Sequence, residues 1–516
     1  MKGSADAEVT VRSRTLTRAQ FGMTAPSVIV ETHLLGGLPS TTVVGMPEVA
    51  VREARDRVRS ALANCGFDYP DGRVVVNLAP VDLAKEGARF DLAIAVSILR
   101  ASGQLQQPGD APDYELLGEL GLTGALRAVR GCLCAGLQVP AARRLVVPAE
   151  NAAEAAFGEG RLIPLAHLKD VVRLLSGQHP DNLRAHSRGT EAPSAEPAPR
   201  VIGQAQAKRA LALAATGGHH LLMIGPPGTG KSLLARHLPR LLPELNDQEA
   251  MEIAAVYSAA GMSLVEGVRR PIRSPHHTVS ATAMAGGGSH PRPGEISLAH
   301  EGVLFLDELP HFKPSVLDAL REPLETREVS VARSAGTARF PARFLLLAAM
   351  NPCPAGFVCR EGSCRCRPDQ RRRYQARVSG PLLDRIDLHI PVEEVPKALL
   401  LGEAQEADPA AFSPSRVQAA RRLALERQGK CNAHLDGIEL ERQVPLDGAA
   451  RRVLRRASER YGLSARAIHR VMRVARTVAD LESSVRVAQP HLTEALSYRA
   501  YDWSGDSTGG EAVSRG

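Results

Sequence analysis

Leu221 to Ser232 reads LLMIGPPGTGKS, a short apolar run that breaks at Gly225 into a glycine-rich turn and ends on Lys231 and Ser232. The turn matches G-x-x-x-x-G-K-[ST] without a gap: Gly225, Pro226, Pro227, Gly228, Thr229, Gly230, Lys231, Ser232. Small residues let successive backbone N–H groups point inward around phosphate oxygens. Lys231 has the reach for the outer phosphates, and the Ser232 hydroxyl is a hard oxygen ligand for magnesium. The apolar run predicts a buried strand, and LLARHLP behind it predicts a helix whose N-terminus faces the phosphates. A chance Gly/Pro turn is the alternative reading, and the strand and helix on either side argue against it. A nucleotide site in an α/β fold follows.

Working outward, Ala207, Leu211 and Ala214 keep helical spacing ahead of this strand, and Gly217-Gly218 stops that helix. Downstream, Gly302-Val303-Leu304-Phe305-Leu306-Asp307-Glu308 predicts a buried strand ending in two carboxylates. Asp307 suits magnesium at the phosphate site, and Glu308 suits polarisation of an attacking water. A third apolar run, Phe344 to Met350, ends at Asn351, whose amide could orient that water; asparagine at a strand end is also an ordinary turn former. Between the last two runs, Glu328–Arg333 and Thr337–Phe340 flank Ser334-Ala335-Gly336, which predicts a β-hairpin carrying Arg333 and Arg339. Those arginines suit a phosphate backbone, or simply a solvated face.

The whole chain has 516 residues, too many for one core, and length alone suggests roughly three domains. Residues 1–176 alternate β-rich and helical patterns, predicting a mixed α/β domain; 177–199 form a Pro-, Ala- and Ser-rich linker. The nucleotide-binding core covers 200–396. Residues 397–503 predict helices only, with Ser413-Pro414, Asp447 and Ser464 as openings and Gly429 and Gly462 as stops. In the helix after Ser464, Ile468, Val471, Met472, Ala475 and Val478 make an apolar stripe, and Arg466, Arg470 and Arg473 stand on another face that reads as mostly solvated. The tail, 504–516, predicts disorder. The net charge of +8 suits a polyanion such as DNA but is modest for this length, and 3% aromatics argue against base stacking as the main mode of contact. With no N-terminal apolar region and no apolar run of roughly 18 residues, the expectation is a cytoplasmic protein with no membrane partner.

Two resemblances extend this reading. VVVNLAPVDLAKEGARFDLAIAVSIL (74–99), GELGLTGALR and LVVPAEN resemble the proteolytic, S5-like domain of Lon-type proteases. Lys85 to Phe90, however, holds no serine where that motif places its nucleophile, and Ser97 sits in an apolar run, so the domain reads as non-catalytic. The three nucleotide motifs with HHTVSATAMAGGG, PRPGEISLAHEGVLFLDELP, MNPCP and SGPLLDRIDLH resemble the ComM/YifB family of magnesium-chelatase-like AAA+ ATPases over nearly the whole chain. That resemblance implies ATP and magnesium as cofactors and a homo-hexameric ring promoting branch migration of DNA during natural transformation. It also implies an arginine finger at Arg385, a sensor role for Asn351, and a lid arginine at Arg466. An intrachain pair of Arg385 with Asp384 or Asp387 is the alternative there. Where the family reads N-P-C-P-C-G, this chain has Asn351-Pro352-Cys353-Pro354-Ala355-Gly356. Within the Cys-rich loop 353–366, Cys353, Cys359, Cys364 and Cys366 could still supply four thiolates to zinc, or be reduced surface thiols. Competing functions are the motor subunit of a metal chelatase, an ATP-dependent Lon-like protease, and a scaffold that binds nucleotide without hydrolysing it.

Overall fold

The computed structural model describes residues 13–45, 53–106, 108, 113–155, 157, 161–178, 201–262, 268–288, 291–333, 336–356, 366–400 and 413–499. Most of the expected linker, the tail, Cys359 and Cys364, and the hairpin tip Ser334-Ala335 lie outside them.

Around the phosphate-loop strand stands a five-stranded sheet in the order Ile272–Arg273, Val303–Leu306, Leu345–Met350, Leu221–Ile224, Leu388–Pro391. Every pairing in it is parallel, with Leu221 opposite both Leu347 and Leu388, and Val303 opposite Leu345. The three inner strands read as unbroken apolar runs because both faces are covered. Leu221, Met223, Phe305, Leu347 and Ile390 point into one core shared with the helices Ala205–Gly217, Lys231–Leu241 and Ala465–Leu481. Their neighbours Leu222, Ile224, Leu306, Ala348 and Met350 point into a second core that includes Phe312, Phe340 and Tyr374. The period of two along each strand therefore feeds two layers, and each fully buried leucine contributes about 2 kcal/mol.

The C-terminal lid is helical among its described residues, and its boundaries follow the punctuation in the sequence. Pro414–Gln428 has Ser413 at its N-cap and Gly429 at φ 71° beyond its end; Asp447 caps Gly448–Tyr461, and Ser464 caps Ala465–Leu481 by accepting from Ala467 N. Val471, Ala475 and Val478 are buried, with Ile468 and Met472 packed against them, so the expected stripe is the packed face. The arginine face departs from expectation. Arg470 Nε lies 3.7 Å from the buried Asp387 carboxylate, and Arg473 Nε donates to Leu435 O at 2.8 Å. This helix is clamped between core and lid rather than lying on the surface, so both arginines meet protein instead of water.

The N-terminal unit is a mixed seven-stranded sheet ordered Ser40–Val44, Arg73–Ala79, Ser27–Leu35, Ser13–Arg18, Tyr114–Leu116, Arg144–Pro148, Leu162–Leu165. Its central helix, Asp91–Ala101, is buried along nearly its whole length. Ser97 on that helix hydrogen-bonds Ser13 Oγ at 2.9 Å and Thr32 Oγ1 at 2.7 Å, a packing role. Lys85 Nζ donates to the carbonyls of Gly45 and Pro80. With no hydroxyl or thiol bonded to it, this lysine activates no nucleophile. The unit docks on the parallel-sheet unit through helix Asp247–Ala260: Gly131 N donates to Ser258 O at 2.8 Å and Leu133 N to Ser258 Oγ at 3.2 Å. The apolar side of the joint is made by Leu133, Cys134, Ala254, Ala255 and Ala259. No helix among the described residues is long and apolar enough to cross a membrane.

Candidate active site

The phosphate loop leaves the sheet where Gly225 N donates to Met350 O at 3.1 Å. A Cβ at Gly225 would stand 2.1 Å from Val392 O, so backbone approach to the neighbouring strand excludes any larger residue there. At the far end of the loop Gly230 takes φ 89° as it caps helix Lys231–Leu241, a conformation that L side chains resist. Thr229 Oγ1 donates to Pro226 O at 3.0 Å across the loop. Gln204, which no sequence motif marks, donates to Thr229 O at 3.2 Å and to Glu393 O at 2.6 Å, tying the loop to the end of the fifth strand.

Lys231 folds back into this loop. Its ammonium donates to Gly225 O and Pro226 O at 2.7 Å each and to Asn351 Oδ1 at 3.3 Å. Burial lowers its pKa, while Asp307 and Glu308 oppose the shift. Phosphate oxygens would replace these neutral acceptors with charged ones, and charge-assisted hydrogen bonds are roughly twice as strong. The lysine is thus held at the site by weaker partners than the anion it would grip.

The acidic strand brings its carboxylates to the same edge. Ser232 Oγ donates to Asp307 Oδ2 at 2.8 Å, so a hydroxyl and a carboxylate converge as the hard oxygen pair that magnesium takes. Asp307 Oδ1 accepts from Glu308 N at 2.9 Å. Glu308 adopts φ 53°, a left-handed conformation costing of order 1 kcal/mol for a residue with a Cβ, and strain of that kind concentrates at functional sites. Asn351 arrives on the strand between those carrying Lys231 and Asp307, which places its amide centrally. Lys231, Ser232, Asp307, Glu308 and Asn351 therefore share one end of the sheet. Beside Glu308 stand His277, within the string HHTVSATAMAGGG, and His311, one residue after the string ending LFLDELP; neither string gives them a role, because their positions depend on two loops whose paths no periodicity reveals.

Arg385 and Arg466 do not join this group. Arg385 Nη2 pairs with Glu325 at 2.6 Å, and its Nη1 donates to Pro381 O at 2.7 Å. Neither alternative partner holds it: Asp384 faces Arg499 at 3.8 Å, and Asp387 bonds His219 at 2.9 Å. It lines a cavity of about 500 Å³ with His220, Arg327, Arg421, Arg470 and Arg473. His220, Gly302 and Asp387 from this cavity immediately precede three of the parallel strands, so it lies at the edge opposite the phosphate loop. Arg466 is exposed, one helical turn before Arg470. Of the cysteines, Cys353 is buried and Cys366 half-buried, and the rest of the expected set lies outside the described residues.

The hairpin forms as expected, Glu328–Arg333 against Gly336–Pro341, with Ser330 opposite Arg339. The pleat separates its two arginines. Val329, Val331, Ala338 and Phe340 are buried on the face to which Arg333 belongs, and Arg333 Nε donates to Gly288 O at 3.0 Å. Arg339 stands on the opposite face, and both arginine side chains are exposed.

Three family descriptions match the chain: "Subunit ChlI of Mg-chelatase" over residues 30–151, "Magnesium chelatase, subunit ChlI" over 198–400, and "Magnesium chelatase, subunit ChlI C-terminal" over 409–499. YifB of Escherichia coli is 46% identical over 495 residues, covering 94% of this chain and 96% of that protein. Competence protein ComM of Haemophilus influenzae is 45% identical over 493 residues, with the same coverage of 94% and 96%. The magnesium-chelatase 38 kDa subunit of Rhodobacter capsulatus is 27% identical over 344 residues, 61% of this chain and 91% of that one. Similarity at this level, across the N-terminal unit, the parallel-sheet core and the helical lid alike, means that the chain belongs to the ComM/YifB family of magnesium-chelatase-like AAA+ ATPases.

Proposed function

We propose that this chain hydrolyses ATP as one subunit of a hexameric ring that drives DNA branch migration in recombination and natural transformation, in the cytoplasm. The observation that carries the ATPase reading is the convergence at one end of the sheet of two hydrogen-bonded pairs, Lys231 with Asn351 and Ser232 with Asp307, with Glu308 beside Asp307. On nucleotide binding Lys231 exchanges its loop carbonyls for the outer phosphates. Magnesium held by Ser232 and Asp307 would neutralise phosphate charge. Asn351 orients the attacking water, and Glu308 takes its proton.

Support for the ring comes from Arg385. At the edge opposite the phosphate loop it is out of reach of this chain's own nucleotide, and a finger so placed serves a neighbour. Support for DNA comes from the similarity to a competence protein, the exposed Arg339 and the net positive charge. The test is a pair of substitutions. Lys231→Ala should weaken nucleotide binding, whereas Glu308→Gln should bind and stall. Wild-type turnover by Glu308→Gln would remove Glu308 from the mechanism.

A further inference from the structure

Two imidazoles approach the same carboxylate oxygen of Glu308. His311 Nδ1 lies 3.4 Å from its Oε2, and His277 Nδ1 lies 3.7 Å from the same atom. His311 reaches this place because Leu309–His311 is a tight 3-10 turn, closed by His311 N donating to Glu308 O at 2.8 Å. His277 comes from the loop after strand Ile272–Arg273, the edge strand paired with the one that carries Asp307 and Glu308. The two imidazoles meet edge to face, with centroids 5.8 Å apart. On one side His276 packs on His277 at 4.0 Å; on the other the buried Tyr374 lies edge-on to His311 at 6.2 Å. A continuous set of rings thus runs from Tyr374 through His311 and His277 to His276, with the glutamate beside the two central imidazoles.

From this geometry we infer that His277 and His311 are positioning residues for Glu308: by holding Oε2 they aim Oε1 at the water attacking ATP. The inference rests on the reading of Glu308 as the base. In the step itself the water oxygen bonds to the γ-phosphorus, the bond to the β–γ bridging oxygen breaks, and ADP leaves with that oxygen. The water's proton passes to Oε1. A carboxylate free to rotate about its terminal torsion would present that lone pair in many directions. With Oε2 fixed, one lone pair faces the water, and proton transfer of this kind depends on heavy-atom placement. The contacts of 3.4 and 3.7 Å are ion-pair distances rather than hydrogen bonds, and the clamp closes when substrate arrives, as contacts of catalytic groups tighten then.

The same loop connects the clamp to the hairpin. Beyond His277 the chain runs through helix Ala281–Ala285 to Gly288, whose carbonyl accepts from Arg333. Displacement of the hairpin would therefore pull on the segment that carries His277.

The experiment measures steady-state ATPase, the Kd of a fluorescent ATP analogue and thermal melting for His277→Ala, His311→Ala, the double variant, and each His→Asn, whose amide nitrogen takes the place of Nδ1. Misplacing a reacting group by about 1 Å costs about 100-fold, so each alanine should lower kcat about tenfold and the pair about 100-fold, with KM, Kd and melting unchanged. Asn should restore most of the loss. Placed on Glu308→Gln, the alanines should add nothing, because they act through the group already removed. Equal loss on top of Glu308→Gln, a weakened Kd with intact kcat, or no rescue by Asn would overturn the inference. Wild-type turnover by Glu308→Gln alone would instead overturn the reading on which it rests.

Discussion

Mixing two inactive variants shows where Arg385 acts. Lys231→Ala destroys a subunit's own phosphate grip but leaves its Arg385; Arg385→Ala does the reverse. If Arg385 serves the adjacent subunit, a productive site needs the phosphate loop of one variant beside the finger of the other. In closed rings assembled at random from equal amounts, about a quarter of the interfaces meet that condition, so turnover should recover to about a quarter of wild type. If Arg385 acts within its own chain, no combination is productive and the mixture stays dead. The structure also sets the cost of releasing the arginine. Its partner Glu325 is 55% exposed, and such a pair is worth about 0–1 kcal/mol. Glu325→Ala should therefore change turnover by less than about fivefold, whereas loss of an arginine finger costs about 1,000-fold or more. The assay is steady-state ATPase after subunit exchange, with ring formation followed by light scattering. Full activity of isolated monomers, or a mixture no better than its components, would refute the trans assignment.

Three further outcomes follow from the geometry. Arg339→Ala should flatten the salt dependence of duplex binding by about 0.9 log unit for each phosphate the arginine neutralises, while Arg333→Ala should leave the slope alone; equal effects would place both arginines on the same face. Burial pushes the His220 and His434 imidazoles from 6.5 down to about 4 and about 3, with Arg327 adding to the shift at both. The unfolded chain takes up those protons near pH 6.5, so the stability they represent is present above that pH and is lost as pH falls through the window; the melting temperature should drop between pH 7 and pH 5, and a flat profile would contradict it. Gly225→Ala, with its methyl 2.1 Å from Val392 O, should abolish ATP binding by pushing the loop from the sheet, and normal affinity in a titration would show that the strand end yields instead.

How far the sequence reaches is clearest at particular residues. The phosphate loop, the two other motif strands and the lid caps are legible because each is local: an apolar run, a glycine that stops it, a serine or aspartate that opens the next helix. The hairpin is legible for the same reason, and strict alternation along its strands places Arg333 and Arg339 on opposite faces, which their charge alone does not show. Other features depend on long-range placement. That Asn351 comes up between Lys231 and Asp307 follows from strand order, which three apolar runs do not specify. Arg385 pairs with Glu325 rather than Asp384 or Asp387 because the turn after helix Gly380–Leu383 points it toward the segment before the hairpin. Arg470 and Arg473 read as solvated because the polar face of a helix normally is, until a second domain covers it. His277 and His311 are 34 residues apart and carry no spacing signature; two histidines in a row after an edge strand are the one local cue to them.

Coupling between ATP hydrolysis and branched DNA is what the proposed function requires. Turnover should be measured on wild type alone, with duplex, and with a mobile four-way junction, alongside the rate at which the junction's strands separate. ATP turnover should rise with the junction more than with duplex, and junction movement should require ATP and vanish in Glu308→Gln. Turnover that ignores every DNA added, with junctions that resolve no faster than they do unaided, would contradict it.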